Sequence, residues 1–436
     1  MERKIGKFET APAVANDFAC FNLVGILKLE HAPSAEIVQK SLDILQNHHP
    51  ALRTRINKIK DSYRFSDQAI QKIPLKVEER TDDNQWIPKV ESYLNNPVDW
   101  AAGPLLNCTY LKNSNPPGVA EIIFAFHHSI VDANSLVIFL EDFLNICAAQ
   151  QAGVPIEGYG GYPALPAVED MFPRLYKGLP MVFRTMGFMM RQMASEMVIM
   201  WKTKGKRKPP LDLDSVAHVL TMTLDEEDTT ALVKSVRKHK VTLNSVQHAA
   251  ILTATWKHLY EEDSIPAKHI LFQNLRPYLS PPLEEDVLGS YIAMIQLVIE
   301  LDSKRDFWDL SREINQAVYS TGKSGDKFIS ANLSGALLKM LFRFKSFRMA
   351  LTAMNYSGAI SLQKNYGDIK VVDVHGFSSN FGLGPEFSAQ TLMYKGKLYW
   401  NIVYLDTDMN GETAQAITDE IKYILVSAAK GKNNSD

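Results

Sequence analysis

Cysteine is scarce in this chain. Cys20, Cys108 and Cys147 are three in number and far apart, with no CxxC pair and no metal-ligand spacing. That pattern argues against a disulfide framework or a zinc site, and for buried thiols in a reducing compartment. An excess of one charge is also missing. The 47 basic and 49 acidic residues leave a net charge of −2, which gives nucleic acid no electrostatic footprint as the main partner. No run of about 18 uncharged apolar residues occurs, so no membrane-spanning helix is expected. The opening Met1-Glu2-Arg3-Lys4-Ile5-Gly6-Lys7 is charged and leads into no apolar h-region. No signal peptide is therefore expected, and the expected location is the cytoplasm. No Gly-x-Ser-x-Gly elbow is present, which removes the usual setting of a serine nucleophile.

What is there is enough for a large core. Of 436 residues, 46% are hydrophobic and 22% charged, an ordinary globular balance at a length that favours two domains. The first part alternates strand-like and helix-like segments. Residues 18–29 read as a strand region. Residues 34–48 carry Ile37, Val38, Leu42 and Leu45 at helical spacing, with Ser34 as N-cap. Residues 121–126 read as a strand. A helix then places Leu136, Phe139, Leu140, Phe143, Leu144 and Cys147 on one face.

Residues 171–201 are unusual. Val182, Met186, Met189, Met193, Met197 and Met200 recur at helical spacing, and Lys202, Lys204, Lys206, Arg207 and Lys208 follow before Pro209-Pro210. The stripe reads first as packing against the protein. Two alternatives stay open: a flexible lining for a long acyl chain, or a helix at a membrane surface, with peripheral contact through 171–208. The basic run reads first as a solvated linker; it would also suit an acidic carrier protein or lipid head groups. The expected division is a first domain at 1–170, a helical crossover and basic linker at 171–212, and a second domain at 213–436.

Chemistry concentrates in one segment, Glu121-Ile-Ile-Phe-Ala-Phe-His127-His128-Ser-Ile-Val-Asp132-Ala133. An apolar strand runs into paired histidines, and an aspartate follows at the mouth of a helix. Neighbouring side chains of an extended backbone point to opposite faces, so His127 and His128 do not converge on one metal ion. One of them can face a cleft, where an imidazole titrating near neutrality serves as a general base. Asp132, at the helix start, is better placed to organise the turn than to touch substrate. The competing reading is a pair of satisfied core histidines.

His127-His128-x-x-x-Asp132 resembles the HHxxxD signature of the chloramphenicol-acetyltransferase-like superfamily. That group holds condensation domains of nonribosomal peptide synthetases, plant BAHD acyltransferases, alcohol acetyltransferases and stand-alone polyketide-associated acyltransferases of the mycocerosyl-transferase type. His49-Pro50-Ala51-Leu52-Arg53-Thr54-Arg55 is similar to the RHxxLRTxF segment of condensation domains, and Leu288-Gly289-Ser290-Tyr291-Ile292 to their IGxFVN stretch. Asn380-Phe381-Gly382-Leu383-Gly384 is similar to the plant DFGWG motif. Ala133 stands where the family usually has glycine, Asn380 replaces the plant aspartate, and Leu383 replaces its tryptophan. The free-standing length and the N-terminal segment are most similar to the stand-alone enzymes.

The resemblance implies an α/β fold of two chloramphenicol-acetyltransferase-like domains in a V arrangement, with an interdomain tunnel reaching His128. It implies transfer of an acyl group from coenzyme A or an acyl carrier protein, supplied in trans, to a small-molecule alcohol or amine, with His128 as general base and His127 in support. No permanently bound cofactor and no metal are implied. It makes Arg53 the first candidate partner of Asp132 and Arg276 the second. Amides after Asp132, from Ala133 on, and side chains near Ser379 and Asn380 become candidates to hold the oxyanion. An amide-forming condensation enzyme and an inactive scaffold are the alternatives.

Overall fold

The computed structural model describes residues 2–113, 118–164, 166–202, 214–283, 286–344 and 348–431. The chain divides into two compact units. One comprises Met1–Met171, Leu279–Tyr291 and Ala359–Ser379; the other comprises Phe172–Tyr278, Ile292–Gly358 and Asn380–Asp436. The expected block 213–436 is corrected by this division, because two of its segments pack into the first unit. The expected crossover at 171–212 is corrected as well, since from Phe172 the chain groups with the second unit.

In the first unit a six-stranded sheet runs in the order Asn365–Tyr366, Ile369–Ser378, Asn22–Glu30, Val119–His127, Leu106–Lys112, Leu75–Glu79. Val119–His127 is interior to this sheet and buried along almost its whole length, which explains its unbroken apolar run rather than an alternation. It pairs antiparallel with Asn22–Glu30, Asn22 lying opposite His127. The helix Ala133–Ala152 covers the sheet with the face anticipated from its periodicity: Phe139, Leu140, Phe143, Leu144 and Cys147 are fully buried. Gly25 lets the start of that helix come close. A Cβ there would meet Leu136 Cδ1 at 2.5 Å, so a side chain would force Leu136 out of its place on the sheet.

The second unit has its own six-stranded sheet, in the order Ile292–Asp302, Ser264–Asn274, Ala350–Ala359, Pro385–Tyr394, Lys397–Leu405, Ala217–Leu224. A hairpin turns at Lys395-Gly396. Tyr394 pairs with Lys397, and Lys395 and Gly396 both hold positive φ, the geometry of a two-residue turn. The closing helix Gly411–Ala429 buries Ile417, Ile421, Ile424 and Leu425 as its spacing predicts, and packs on Leu243–Leu259.

The methionine stripe is where the fold departs most from expectation. Helix Gly178–Lys202 forms, but it is held by a different line, Met181, Phe188 and Ile199. Val182, Met186, Met193, Met197 and Met200 are exposed. The period was right and the face was wrong, because apolar residues occupy both sides of this helix. Lys204, Lys206, Arg207, Lys208 and Pro209-Pro210 lie outside the described residues.

Candidate active site

The strand Val119–His127 ends at the paired histidines, and their roles diverge at once. His127 is fully buried. Its Nδ1 accepts the Ser129 main-chain N–H at 3.2 Å and lies 2.7 Å from Ser129 Oγ. Since an N–H is donated to it, Nδ1 carries no proton and the neutral ring holds its hydrogen on Nε2. Burial, and secondarily the neighbouring His128, pushes its pKa down to about 3. His127 is a neutral structural residue that shapes the turn.

His128 has the other face. Its main-chain N–H donates to the Phe21 carbonyl at 3.2 Å, and its ring lies 5.3 Å from the Phe21 ring. The residue keeps 9% of its surface exposed, while its Nδ1 is buried. Burial lowers its pKa; its own main-chain carbonyl, the Asp132 carboxylate and the Val131 carbonyl oppose that shift. The imidazole is therefore neutral at pH 7, with a lone pair available to take a proton.

Asp132 is completely buried and caps the helix Ala133–Ala152. Oδ1 accepts the Ser135 N–H at 2.8 Å, and Oδ2 accepts the Tyr291 N–H at 2.8 Å. Ser135 completes the clamp: its Oγ donates to the Gly289 carbonyl at 2.7 Å and accepts the Gly289 N–H at 3.0 Å. The segment Leu279–Tyr291 is thus fastened to the mouth of the histidine helix from more than 150 residues away in sequence. Gly289 is required there, because a Cβ would meet the Tyr291 ring at 2.4 Å. Sequence reasoning placed Leu288-Gly289-Ser290-Tyr291-Ile292 in a motif but missed Ser135 and Tyr291 as partners of the aspartate, and Gly289 as the partner of Ser135. Main-chain acceptors and donors leave no side-chain signature. Phe21 was missed for the same reason.

The other candidates are placed as follows. Arg53 ends the short 3-10 turn Pro50–Arg53, half-buried. The expected Arg53–Asp132 pair is not formed: Asp132 spends its oxygens on main-chain N–H groups. Ala133 is the first residue of the helix. Ser379 does not serve as an oxyanion donor. Its hydroxyl donates to the Leu94 carbonyl at 3.0 Å and accepts the Asn22 N–H at 3.0 Å, knotting the ends of two paired strands. Arg276 and Asn380 belong to the second unit. Arg276 opens the 3-10 turn Arg276–Tyr278, its N–H donating to Asn274 Oδ1 at 3.0 Å. Asn380 closes its own loop: Nδ2 donates to the Pro385 carbonyl at 2.8 Å and Oδ1 accepts the Phe381 N–H at 2.9 Å. Its side chain is therefore committed to its own loop through both ends of the amide.

An ion pair braces the loop that carries Asn380. Arg348 Nη1 lies 3.0 Å from Asp408, and its Nη2 donates to the Gly382 carbonyl at 3.2 Å, bracing the Asn380-Phe381-Gly382-Leu383-Gly384 loop. A pocket of the first unit opens on Ser129, Ile130, Leu288, Gly289 and Tyr291 beside the Arg3–Glu9 ion pair, but His128 does not line it. Among the described residues no group of three His, Cys, Asp or Glu side chains is arranged to hold a metal ion. All three cysteines are buried free thiols.

Comparison with known proteins agrees with this geometry. The condensation-domain family matches residues 14–159, which include the whole histidine turn. The family described as phthiocerol/phthiodiolone dimycocerosyl transferase C-terminus matches residues 214–325. The fold superposes on trichothecene 15-O-acetyltransferase from Fusarium sporotrichioides with a TM-score of 0.77, at 13% identity, covering 98% of this chain and 95% of that one. The two family matches and the shared fold fit the chloramphenicol-acetyltransferase-like superfamily. Polyketide synthase associated protein 5 from Mycobacterium tuberculosis, another structure with this superfamily's fold, gives a TM-score of 0.70 at 16% identity, covering 98% of this chain and all of that one. The first condensation domain of the CDA synthetase gives 0.66 at 12% identity over 98% and 96%. A hybrid PKS-NRPS synthetase of an Acremonium species is 24% identical over 151 residues. The match covers 34% of this chain and only 4% of that synthetase.

Proposed function

We propose that the chain transfers an acyl group from a thioester, carried on coenzyme A or on an acyl carrier protein acting in trans, to the hydroxyl of a small molecule. His128 is the general base. The observation that carries this reading is the contrast within the histidine pair: both rings are neutral, but His127 is fully buried and bonded on Nδ1, whereas His128 keeps 9% of its surface exposed.

In the proposed step the acceptor O–H gives its proton to the His128 imidazole as its oxygen attacks the thioester carbonyl. The carbon–sulfur bond then breaks, and the thiolate leaves with the proton returned from the imidazolium. No covalent acyl-enzyme forms. The Ala133 and Asn134 main-chain amides, in the helical turn whose Ser135 N–H Asp132 has taken, are the candidates for holding the oxyanion. The match of residues 14–159 to condensation domains supports a second reading, in which the acceptor is an amine and the product an amide. A cytoplasmic setting is part of the proposal.

The test is a panel of acyl-coenzyme A and acyl-carrier-protein donors against alcohols and amines, with products read by mass spectrometry. Ester formation supports the first reading, amide formation alone the second. No product from any pair, with the protein folded, favours an inactive scaffold.

A further inference from the structure

We infer that helix Gly178–Lys202 is a docking element for an anionic lipid surface, a function separate from the His128 site. The reasoning begins with which face the helix buries. Met181 and Phe188 join Ile329 in a small apolar cluster with Tyr176 and Leu333, and Ile199 continues the same line. This narrow stripe fastens the helix. The outward face is the more apolar one, the reverse of an ordinary surface helix. Phe183 is 71% exposed and Trp201 80%. Leu179, Val182, Met186, Met190, Met193 and Met197 are each more than half exposed. At 3.6 residues per turn these side chains fall within about 100° of the helix circumference. A contiguous apolar strip of this kind on a water-facing helix marks a contact surface.

Charge identifies the occupant. Arg184, Arg191 and Lys202 share one line on a flank of the helix, about 80–100° beyond the edge of the strip, and all three are exposed. Arg191 and Lys202 make exposed ion pairs, with Asp326 at 2.8 Å and with Glu300 at 2.6 Å, which exchange readily for other anions; Arg191 also lies over the Phe188 ring at 6.0 Å. Glu196, the sole acidic residue of the helix, lies beyond the other edge of the strip and pairs with Lys268. The sequence from Lys202 to Lys208 adds basic residues at 204, 206, 207 and 208 and no acidic one. A second copy of this chain would bring the same positive flank to the contact, whereas a layer of anionic head groups supplies the opposite charge.

The dimensions fit a helix lying in the plane of the interface. At 25 residues it is about 37 Å long, yet no described helix is apolar enough to cross a membrane. Its two arginines belong at head-group level while methionine, phenylalanine and tryptophan sink to the acyl boundary.

The experiment uses the full chain with vesicles of phosphatidylcholine alone or mixed with phosphatidylserine. Binding is read by co-flotation, and depth by quenching of tryptophan fluorescence with brominated lipid. The expected result is co-flotation with the phosphatidylserine vesicles, weakened by salt and accompanied by quenching. The double variant Met190→Glu/Met197→Glu, whose side chains face solvent, should keep its circular dichroism spectrum and lose about tenfold or more in vesicle affinity. Trp201→Ala should remove most of the quenching without abolishing flotation. Failure of the parent protein to float with either vesicle overturns the inference, as does flotation without quenching. So does concentration-dependent dimerisation that the double variant abolishes while vesicles have no effect, which would assign the face to a second copy. Saturation of the face by an acidic carrier protein, with no lipid binding, would overturn it equally.

Discussion

Asp132 Oδ2 accepts the main-chain N–H of Tyr291 at 2.8 Å, joining residues 159 positions apart at the mouth of the histidine helix. Its other oxygen is taken by Ser135 N–H. The two donors together demand a carboxylate, since an amide offers one acceptor and sets its own N–H groups against a second donor.

Asp132→Asn is therefore expected to destabilise the protein by about 1–3 kcal/mol, measured by denaturant unfolding, and to reduce transfer in parallel. Because Arg53 does not pair with Asp132, adding Arg53→Ala should be additive to within about 0.5 kcal/mol. A strong coupling energy in that cycle would restore the pairing expected from sequence.

The loop that carries Asn380 offers an independent check. The Asp408 side chain is fully buried against Arg348, so Arg348→Ala removes its ion-pair partner and should cost about 3–5 kcal/mol. Asn380→Ala loses two main-chain contacts and should cost about 1–2 kcal/mol. If both variants unfold at the parent's denaturant midpoint, the loop is not braced as described.

Much of this was legible in the sequence where a single periodicity governs a segment. The faces of Ala133–Ala152 and Gly411–Ala429, the hairpin at Lys395-Gly396 and the strand ending at His127 all follow from local pattern. What was not legible has physical reasons. Helix Gly178–Lys202 is apolar on two sides, so period alone cannot say which side is buried. The clamp on Asp132 consists of main-chain groups, which every residue type presents alike. Leu279–Tyr291 and Ala359–Ser379 join the first unit through long-range packing that no local window records. Arg53 was plausible by charge, but the carboxylate is turned to the main-chain N–H groups of Ser135 and Tyr291.

Acid should unfold the protein through its buried histidines. His127 in the first unit and His248 in the second are both held neutral by burial, with pKa values near about 3. His248 Nδ1 lies 2.7 Å from Nε2 of His269, which burial also holds well below its ordinary range. The unfolded chain protonates these rings below about pH 6.5, whereas the folded chain does not until far lower. Their contribution to stability is thus complete above that pH and is lost as the pH falls toward 3. Each site adds a slope of up to about 1.4 kcal/mol per pH unit. Unfolding curves at a series of pH values should show it, and His127→Asn should flatten the dependence by about one site. Stability independent of pH across that window would contradict the assignment.

The acid limb of activity follows from His128. Its base form persists below the ordinary histidine value because burial is the dominant influence on it. The midpoint of the acid limb of kcat/KM should accordingly fall below about pH 6.5. A limb at or above that value would mean that a more exposed group supplies the base.

The central claim is that His128 takes the acceptor's proton. The most direct measurement is product formation by His128→Ala beside the parent, with an acyl thioester and acceptor that the parent uses and with both proteins shown to be folded. The account predicts a loss of about a hundredfold or more in kcat/KM with the unfolding midpoint little changed. A folded His128→Ala variant that transfers acyl groups as fast as the parent would contradict it.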